Sequence, residues 1–196
     1  MSSLGLFVRY LETTPARGHA AAIDVNHTLM LFAVASSVKP DHVLNLGIGP
    51  GLSAYTLLHA LEYNGHGHLT CVDNNWDLGG NMPQSVVSDL RQRGATVVCP
   101  MEERNYVHNC VSDSFDLILS DADHLHAGEW VDQILRIARN GAFIFVHDAD
   151  NDSFPGLRRY HERAKELGLS HYLFNKGGVG CEYAPQTGFL MMVNRK

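Results

Sequence analysis

Short apolar runs alternate with amphipathic stretches along most of this chain. Five runs, each bounded by Gly, Asp or Pro, have the length and composition of buried strands: 42–46, 68–72, 96–99, 115–120 and 142–147. Between them, apolar residues recur at helical spacing and predict helices at 53–63, 84–93, 103–110 and 128–139. Alternating β and α units predict a largely parallel sheet that is covered by helices on both faces.

The two ends of the chain add further elements. An apolar stretch predicts a helix at 25–38, which Pro40 prevents from continuing. Near the C-terminus, a helix at 156–167 precedes strands at 170–174 and 188–193. Because a glycine-rich loop rather than a helix joins these two strands, we expect them to pair antiparallel at one edge of the sheet.

Composition narrows the class of protein. The 196 residues fit one domain, in which we expect residues 1–38 to form an N-terminal helical extension. No apolar run approaches the roughly 20 residues that span a bilayer, so no membrane association is expected. The net charge of −6 and the scattered basic residues argue against stable nucleic-acid binding, which needs a basic patch.

Cysteine and histidine usage adds little chemistry but points to a compartment. The 4 cysteines form no CxxC pair, which favours reduced thiols and a cytoplasmic location. The 12 histidines are dispersed, without an HExxH or zinc-finger spacing, so the sequence assigns no zinc site.

The most specific motif is a glycine loop after the first predicted strand. Residues 43–51 read VLNLGIGPG, so a strand leads into Gly47, Gly49 and Gly51, and a helix follows. In open α/β sheets, ligands bind at the carboxyl ends of the strands, near this first turn. Glycine permits positive φ and a close approach of a ligand to the backbone, and the helix N-terminus suits an anion. We therefore expect the loop to bind a cofactor.

Three candidate cofactor-binding residues follow the next two strands. Asp73 ends the second strand, where a carboxylate can accept hydrogen bonds from both ribose hydroxyls of an adenosine. Trp76 is a candidate for packing on the adenine ring. Glu102, which follows the third strand, is the third candidate cofactor-binding residue. Structural roles stay open: the glycines can form only a tight turn, Asp73 can cap a strand end, and Trp76 can be a packing residue.

The glycine spacing separates two kinds of adenosine cofactor. Dinucleotide-binding loops follow GxGxxG/A, whereas the sixth position here is Leu52, which is too large for close helix–strand packing. The GxGxG spacing resembles motif I of class I S-adenosylmethionine-dependent methyltransferases. The resemblance covers about residues 25–193 and rests on VLNLGIGPG, LTCVD, FDLILSDADH, GAFIFVHD and the terminal strand pair. DADH and HD are similar to the small-molecule O-methyltransferase branch, in particular methyltransferase family 24.

This resemblance implies a Rossmann-like α/β fold, with a mostly parallel seven-stranded sheet and an antiparallel C-terminal strand. It also implies methyl transfer from S-adenosylmethionine to a small-molecule acceptor, at oxygen, in a protein whose relatives are commonly homodimers. One position departs from the family pattern. Relatives usually carry Asp or Glu where this chain has Asn45, and that acid helps organise the amino-acid end of the cofactor. Asn45 remains a candidate cofactor-binding residue, but it brings no negative charge.

Two aspartates at neighbouring strand ends are candidate metal ligands. Asp121 ends the fourth strand and Asp148 ends the fifth. In the metal-dependent relatives, acids in corresponding places bind magnesium, a hard cation that prefers oxygen ligands. We expect Asp121 and Asp148 to bind Mg²⁺, with Asn151 or His147 as a third ligand. The alternative is that the acidic stretch after the fifth strand is a solvated turn.

His124 is the candidate general base, because histidine titrates near neutral pH. A metal-free mechanism would use it together with Asp121, which is also a candidate cofactor-binding residue. Equally, His124 can orient Asp121 or face water. Substrate recognition is expected to fall to residues 1–24, 76–83 and 176–186, which depart from the bare fold.

Two other functions stay open. One is a nicotinamide-dependent oxidoreductase, against which the glycine spacing, Leu52 and the terminal strand pair all count. The other is a non-catalytic binding protein that kept the fold. Asn45 favours this second alternative, whereas the retained acids Asp73, Asp121 and Asp148 argue against it, since a degenerate pocket has no need of acids.

Overall fold

The computed structural model describes residues 3–14, 23–74, 84–174 and 188–196. The seven strands are β1 (His42–Leu46), β2 (His68–Val72), β3 (Thr96–Val98), β4 (Phe115–Ser120), β5 (Ala138–His147), β6 (His171–Phe174) and β7 (Phe189–Val193). The α-helices of the described residues are α1 (Ser3–Thr13), α2 (Val25–Val38), α3 (Leu52–Asn64), α4 (Gln84–Gln92), α5 (Glu103–Asn109), α6 (Val131–Ile137) and α7 (Pro155–Glu166). A short 3₁₀ helix, Ala127–Trp130, leads into α6.

The strands form one sheet in the order β3-β2-β1-β4-β5-β7-β6. All pairings among the first five strands are parallel. Strand β7 runs antiparallel to β5 and to β6, which forms the outer edge. This order confirms the predicted mostly parallel seven-stranded sheet with an antiparallel C-terminal strand.

Helices cover both faces of the sheet because its strands are apolar on both sides. In β1, Val43 packs into one core, whereas Leu44 and Leu46 pack into the other. The first core includes residues of α1 to α4, among them Phe7, Leu31, Leu57 and Leu90. The second includes residues of α5 to α7, among them Val107, Ile134 and Tyr160. Each fully buried leucine contributes about 1.5–3 kcal/mol of transfer free energy. No helix of the described residues is both long and apolar enough to cross a bilayer.

The β4–β5 connection differs from its prediction. A single helix was expected at 128–139, but α6 ends at Ile137 and β5 already begins at Ala138, opposite Phe115. The side-chain amide of Asn194, at the end of β7, donates to the carbonyl oxygens of Ala138 and Arg139 at 2.8 and 3.1 Å. A residue that is distant in sequence therefore acts as the hydrogen-bond donor to the carbonyl groups beyond the helix. The helical periodicity of the segment does not indicate this contact.

Helix α7 packs directly on the segment that follows β4. The backbone N–H of Gly156 donates to the carbonyl oxygen of His124 at 3.1 Å. A Cβ at Gly156 would lie 2.6 Å from the carbonyl carbon of Leu125, and one at Gly128 would lie 2.5 Å from the Cβ of Arg159. Only glycine leaves room for this approach, so the first turn of α7 and the His124 segment touch backbone to backbone.

Candidate active site

The glycine loop has the backbone conformation that its sequence predicts. Gly47, Gly49 and Gly51 have φ values of 90°, 47° and 98°, which side chains other than glycine rarely adopt. A Cβ at Gly47 would lie 2.3 Å from the carbonyl oxygen of Asp121. Glycine is therefore required at position 47 because the backbone after β4 approaches it closely. This contact joins the glycine loop to the end of the neighbouring strand.

Asp73 supports the same loop from β2. Its side chain is largely buried, and Oδ2 accepts hydrogen bonds from the backbone N–H groups of Ile48 and Gly49 at 2.7 and 3.2 Å. Asp73 thus has a structural role. Its carboxylate holds the glycine loop in place as well as standing at the end of β2. Binding of a ribose by Asp73 stays a prediction.

Asn45 is fully buried in β1, with 0% of its surface exposed. Its side-chain amide donates to the carbonyl oxygen of Gly47 at 3.0 Å. Its Oδ1 is buried and has no hydrogen-bond partner among the described residues. The amide therefore makes a hydrogen bond to the loop that a carboxylate, which has no donor, would be unable to make.

Of the other two candidate cofactor-binding residues, Trp76 lies outside the described residues. Glu102 is exposed at the residue before α5, where its Oε2 accepts a hydrogen bond from the Asn74 side chain at 3.4 Å. It borders a surface cleft of about 270 Å³ that is also lined by Asp123 and Trp130. Binding of the adenine ring by Trp76 and of the cofactor by Glu102 stay predictions.

The adjacent Glu103 is a site residue that sequence reasoning missed. It is buried, and its two carboxylate oxygens accept hydrogen bonds from Ser120 Oγ and the Asp123 backbone N–H, both at 3.2 Å. Burial raises the pKa of Glu103 to about 7, against the lowering effect of the hydrogen bonds from Asp123 and Ser120. In the sequence, an acid in the first turn of a helix indicates only a favourable interaction with the helix dipole.

The two predicted acids meet at the carboxyl ends of β4 and β5, together with the predicted base. One potential ligand atom from each of Asp121, His124 and Asp148 lies within 4.8 Å of the others. His124 Nε2 is 3.4 Å from Asp148 Oδ2 and 3.7 Å from Asp121 Oδ1. Burial lowers the pKa of His124, but the hydrogen bond with Asp148 and the negative charges of both aspartates outweigh it, so the pKa is raised.

His147 contacts the same carboxylates from inside the protein. Its Nδ1 is 3.2 Å from Asp121 Oδ1 and 3.5 Å from Asp148 Oδ2. Burial lowers the pKa of His147, but the negative charges of Asp121 and Asp148 have the larger, opposite effect. The resulting pKa is about 9. Each aspartate therefore faces two imidazoles, the partly exposed one of His124 and the buried one of His147.

Asp148 has a left-handed backbone, with φ of 56°, which is unusual for a residue other than glycine. Its Oδ1 is buried and is without a hydrogen-bond partner in the part of the chain that the structure describes. The predicted third ligand Asn151 lies in the following turn, where its side-chain oxygen accepts the Ser153 N–H at 3.0 Å. Coordination of a metal by Asn151 stays a prediction, whereas His124 and His147 contact both aspartates directly.

Comparisons with known proteins agree with this fold. A sequence profile described as a methyltransferase domain (methyltransferase family 24) matches residues 44–149. No curated protein sequence matches the chain. Several solved structures superpose over nearly the whole chain. Cofactor-bound Rv0187 from MTB is 20% identical with a TM-score of 0.72, covering 99% of this chain and 90% of that one.

Two further structures are O-methyltransferases. The enzyme from Bacillus cereus, in complex with SAH, is 18% identical with a TM-score of 0.71, covering 100% of this chain and 91% of that one. TomG from Streptomyces achromogenes, which is involved in tomaymycin synthesis and was solved in complex with SAM, is 18% identical with a TM-score of 0.69. That alignment covers 98% of this chain and 96% of TomG. At these identities the structures confirm the predicted Rossmann-like fold.

Proposed function

Because the chain belongs to the family of methyltransferase domains that its residues 44–149 match, we propose that it transfers the methyl group of S-adenosylmethionine to an oxygen atom of a small molecule. One observation carries this proposal. The glycine loop, Asp73 and the cluster of Asp121, His124 and Asp148 all lie at the carboxyl edge of the parallel strands. This edge is where open α/β sheets bind their ligands. The similar O-methyltransferases from Bacillus cereus and Streptomyces achromogenes, which hold SAH and SAM, support it.

The residues present fit the cofactor. S-adenosylmethionine supplies an electrophilic methyl group on a positively charged sulfur. The three glycines expose the turn that precedes the N-terminus of α3, and such a helix end suits the carboxylate of the cofactor's amino-acid part. Asp73 stands at the end of β2, where a carboxylate can accept ribose hydroxyls. Because the hydrogen bonds from Ile48 and Gly49 to Asp73 already shape the loop, little rearrangement is required when the ligand binds.

His124 is the residue that would take the proton from the acceptor hydroxyl. Its side chain is 35% exposed, whereas that of His147 is 8% exposed. His124 can therefore reach an acceptor, and His147 acts by positioning Asp121. Asp148 and Asp121 stabilise the imidazolium that forms when His124 accepts the proton. Holding base and acceptor together in this way accelerates the displacement by proximity as well as by proton transfer.

The same cluster also fits a magnesium ion. Asp121 and Asp148 provide carboxylate oxygens, and the buried Oδ1 of Asp148 has no partner within the described parts of the chain. Mg²⁺ is commonly bound by one or two carboxylates plus water or substrate oxygens. Asp121 and Asp148 would hold it, with His124 or Asn151 beside them. When bound, such an ion lowers the pKa of an acceptor hydroxyl.

Thermal unfolding with and without ligands tests the proposal. S-adenosylmethionine and S-adenosylhomocysteine should each raise the midpoint, since a ligand at 100 times its Kd adds about 2.7 kcal/mol of stability. NAD, measured in parallel, should have no effect, and Mg²⁺ should be added to half of the samples. A midpoint that rises with NAD alone would favour the oxidoreductase alternative. A midpoint that rises with none of them would favour a non-catalytic protein. A positive result justifies a screen of small hydroxylated acceptors.

Location and partners belong to the same proposal. A cytoplasmic location is proposed because cysteines such as Cys71, Cys99 and Cys110, which are free, stay reduced there. A small-molecule acceptor is consistent with the net charge of −6, which does not favour a nucleic-acid substrate. Homodimer formation stays a prediction that light scattering of the purified protein would test.

A further inference from the structure

A second cluster of potential metal ligands lies next to the proposed active site. Asp24 immediately precedes α2, His27 lies in the first turn of α2, and His147 is the last residue of β5. One potential ligand atom from each of these three residues lies within 4.8 Å of the others. We call this group the α2 cluster. It shares only His147 with the contacts of the proposed active site.

Three ring nitrogens in the α2 cluster have no hydrogen-bond partner among the residues that the structure describes. His27 is 1% exposed, yet neither of its ring nitrogens has a hydrogen-bond partner among the described residues. The buried Nε2 of His147 is likewise without one in the described part of the chain. Buried polar atoms in proteins are nearly always hydrogen-bonded, so three such atoms on two neighbouring rings need an explanation. The ring centroids are 5.4 Å apart.

The orientation of His147 is the one that metal-binding histidines have. Its Nδ1 lies 3.2 Å from Asp121 Oδ1, which leaves Nε2 on the opposite edge of the ring. In metal sites, the ring nitrogen that does not bind the ion donates a hydrogen bond to a carboxylate, and this bond fixes the tautomer. Asp121 is thus placed to hold His147 through Nδ1, so that Nε2 can lose its proton and bind an ion.

His27 is suited to the same role. Its Nδ1 is 3.5 Å from Asp24 Oδ2. The ring also stacks on Phe189, with centroids 4.6 Å apart and planes at 13°, which fixes its position.

We infer that Asp24, His27 and His147 bind a divalent transition-metal ion, with zinc as the best fit. Two imidazole nitrogens and one carboxylate oxygen are ligands that zinc prefers, and three protein ligands leave one position of a tetrahedral site open. Magnesium is a poor fit because it requires oxygen ligands. With Zn–N bonds of about 2.0 Å, tetrahedral ligand atoms stand roughly 3.3 Å apart, so the side chains must draw together slightly.

Sequence spacing gives no sign of this site. Asp24 and His27 are close along the chain, but the third ligand comes from the end of β5, which the fold brings beside α2. An ion bound here would replace the proton on His147 Nε2, which passes to solvent, while Nδ1–H continues to face Asp121. The α2 cluster would then share one imidazole with the carboxylates of the active site.

Isothermal titration of the full chain with ZnCl₂ tests the inference. The titration is done in saturating Mg²⁺, so that Asp121 and Asp148 are already occupied if they bind that ion. We expect one equivalent of zinc to bind. His27→Phe, which keeps an aromatic ring against Phe189, and Asp24→Asn, which keeps a polar residue before α2, should each weaken zinc binding by at least about 100-fold.

Two further variants serve as controls. His66→Phe makes the same change at an exposed histidine whose Nε2 lies 3.8 Å from an Asp41 carboxylate oxygen, and it should bind zinc as the unaltered chain does. His124→Ala should do so too, because His124 lies outside the α2 cluster. Circular dichroism establishes that each variant is folded; if His27→Phe is not, Asp24→Asn decides.

Three results would overturn the inference. The first is the absence of zinc binding by the unaltered chain. The second is unchanged zinc affinity in folded His27→Phe or Asp24→Asn. The third is loss of zinc binding in His124→Ala but not in the α2 variants, which would place zinc at Asp121 and Asp148. Because none of these measurements uses S-adenosylmethionine, they are independent of the proposed methyl transfer.

Discussion

The side-chain amide of Asn45 donates to the carbonyl oxygen of Gly47 at 3.0 Å. Asn45, the residue that replaces the usual acid of the family, is therefore hydrogen-bonded to the first glycine of the loop. An aspartate at this position would have no donor for Gly47, and its charge would be fully buried.

Asn45→Asp should therefore destabilise the protein rather than restore a better cofactor site. Loss of the hydrogen bond and burial of a carboxylate predict a decrease of about 1–3 kcal/mol in the free energy of unfolding. Urea denaturation at pH 7 measures it, and calorimetry with S-adenosylhomocysteine gives the affinity. Equal stability together with tighter binding would show that the acid is the better residue here.

Gly47→Ala should be far more damaging than Gly65→Ala, although both glycines have positive φ, of 90° and 76°. A Cβ at Gly47 would meet the Asp121 carbonyl oxygen at 2.3 Å, whereas nothing lies within 4 Å of one at Gly65. We expect a cost of about 1 kcal/mol at Gly65, from backbone strain alone, and several kcal/mol at Gly47. Thermal denaturation compares the two variants. Similar midpoints would contradict the close approach of the backbones that follow β1 and β4.

Glu103 should make the protein less stable as the pH rises from about 4.5 to 7. Its pKa is about 7 in the folded protein, because of burial, and near 4.5 when unfolded. In this range the folded state keeps a proton that the unfolded state has lost, so raising the pH favours unfolding. The loss is on the order of 3 kcal/mol and is complete above pH 7.

Urea denaturation across this pH range measures the effect, with Glu103→Gln as the comparison. The variant cannot ionise and should lack this contribution. The matched control is Glu102→Gln, an exposed neighbour that should keep the dependence of the unaltered chain. An identical pH dependence in Glu103→Gln would mean that another group is responsible.

His124→Ala should lower kcat by about 10²–10⁴-fold if His124 is the general base. Because the neighbouring aspartates raise its pKa, kcat/KM of the unaltered enzyme should rise with pH to a midpoint above 6.5. His108→Ala, at an exposed histidine on α5, is the control and should keep both rate and profile. A His124→Ala enzyme with an unchanged pH profile would assign His124 a role other than proton transfer.

Most of the fold was predictable because its signals are local. The five parallel strands are apolar runs that end in turn residues, and in four of them the observed bounds lie within one residue of the predicted run. The start of β5 at Ala138 was not predictable, since it depends on pairing with Phe115 and on Asn194 from the far end of the chain. Such long-range hydrogen bonds override the helical periodicity of this segment.

The site was predictable only in part. Asp121, His124 and Asp148 were identified because parallel strands bring their carboxyl ends to one edge of the sheet. Glu103 and His27 were missed because each looks ordinary within its helix, and only burial by other elements gives them unusual properties. The missed residues differ from the predicted ones because their properties depend on residues that are near in space but distant in sequence. A single sequence does not show such proximity.

The backbone contact between Gly156 and His124 has a consequence for how this enzyme can be altered. With no side chain between α7 and the His124 segment, a shift of the helix would move the backbone that carries the His124 imidazole. Helix α7 also carries Arg159 and Arg163, which are both paired with Glu166. Substitutions that move α7 would therefore change the position of His124, although they alter no residue of the proposed site.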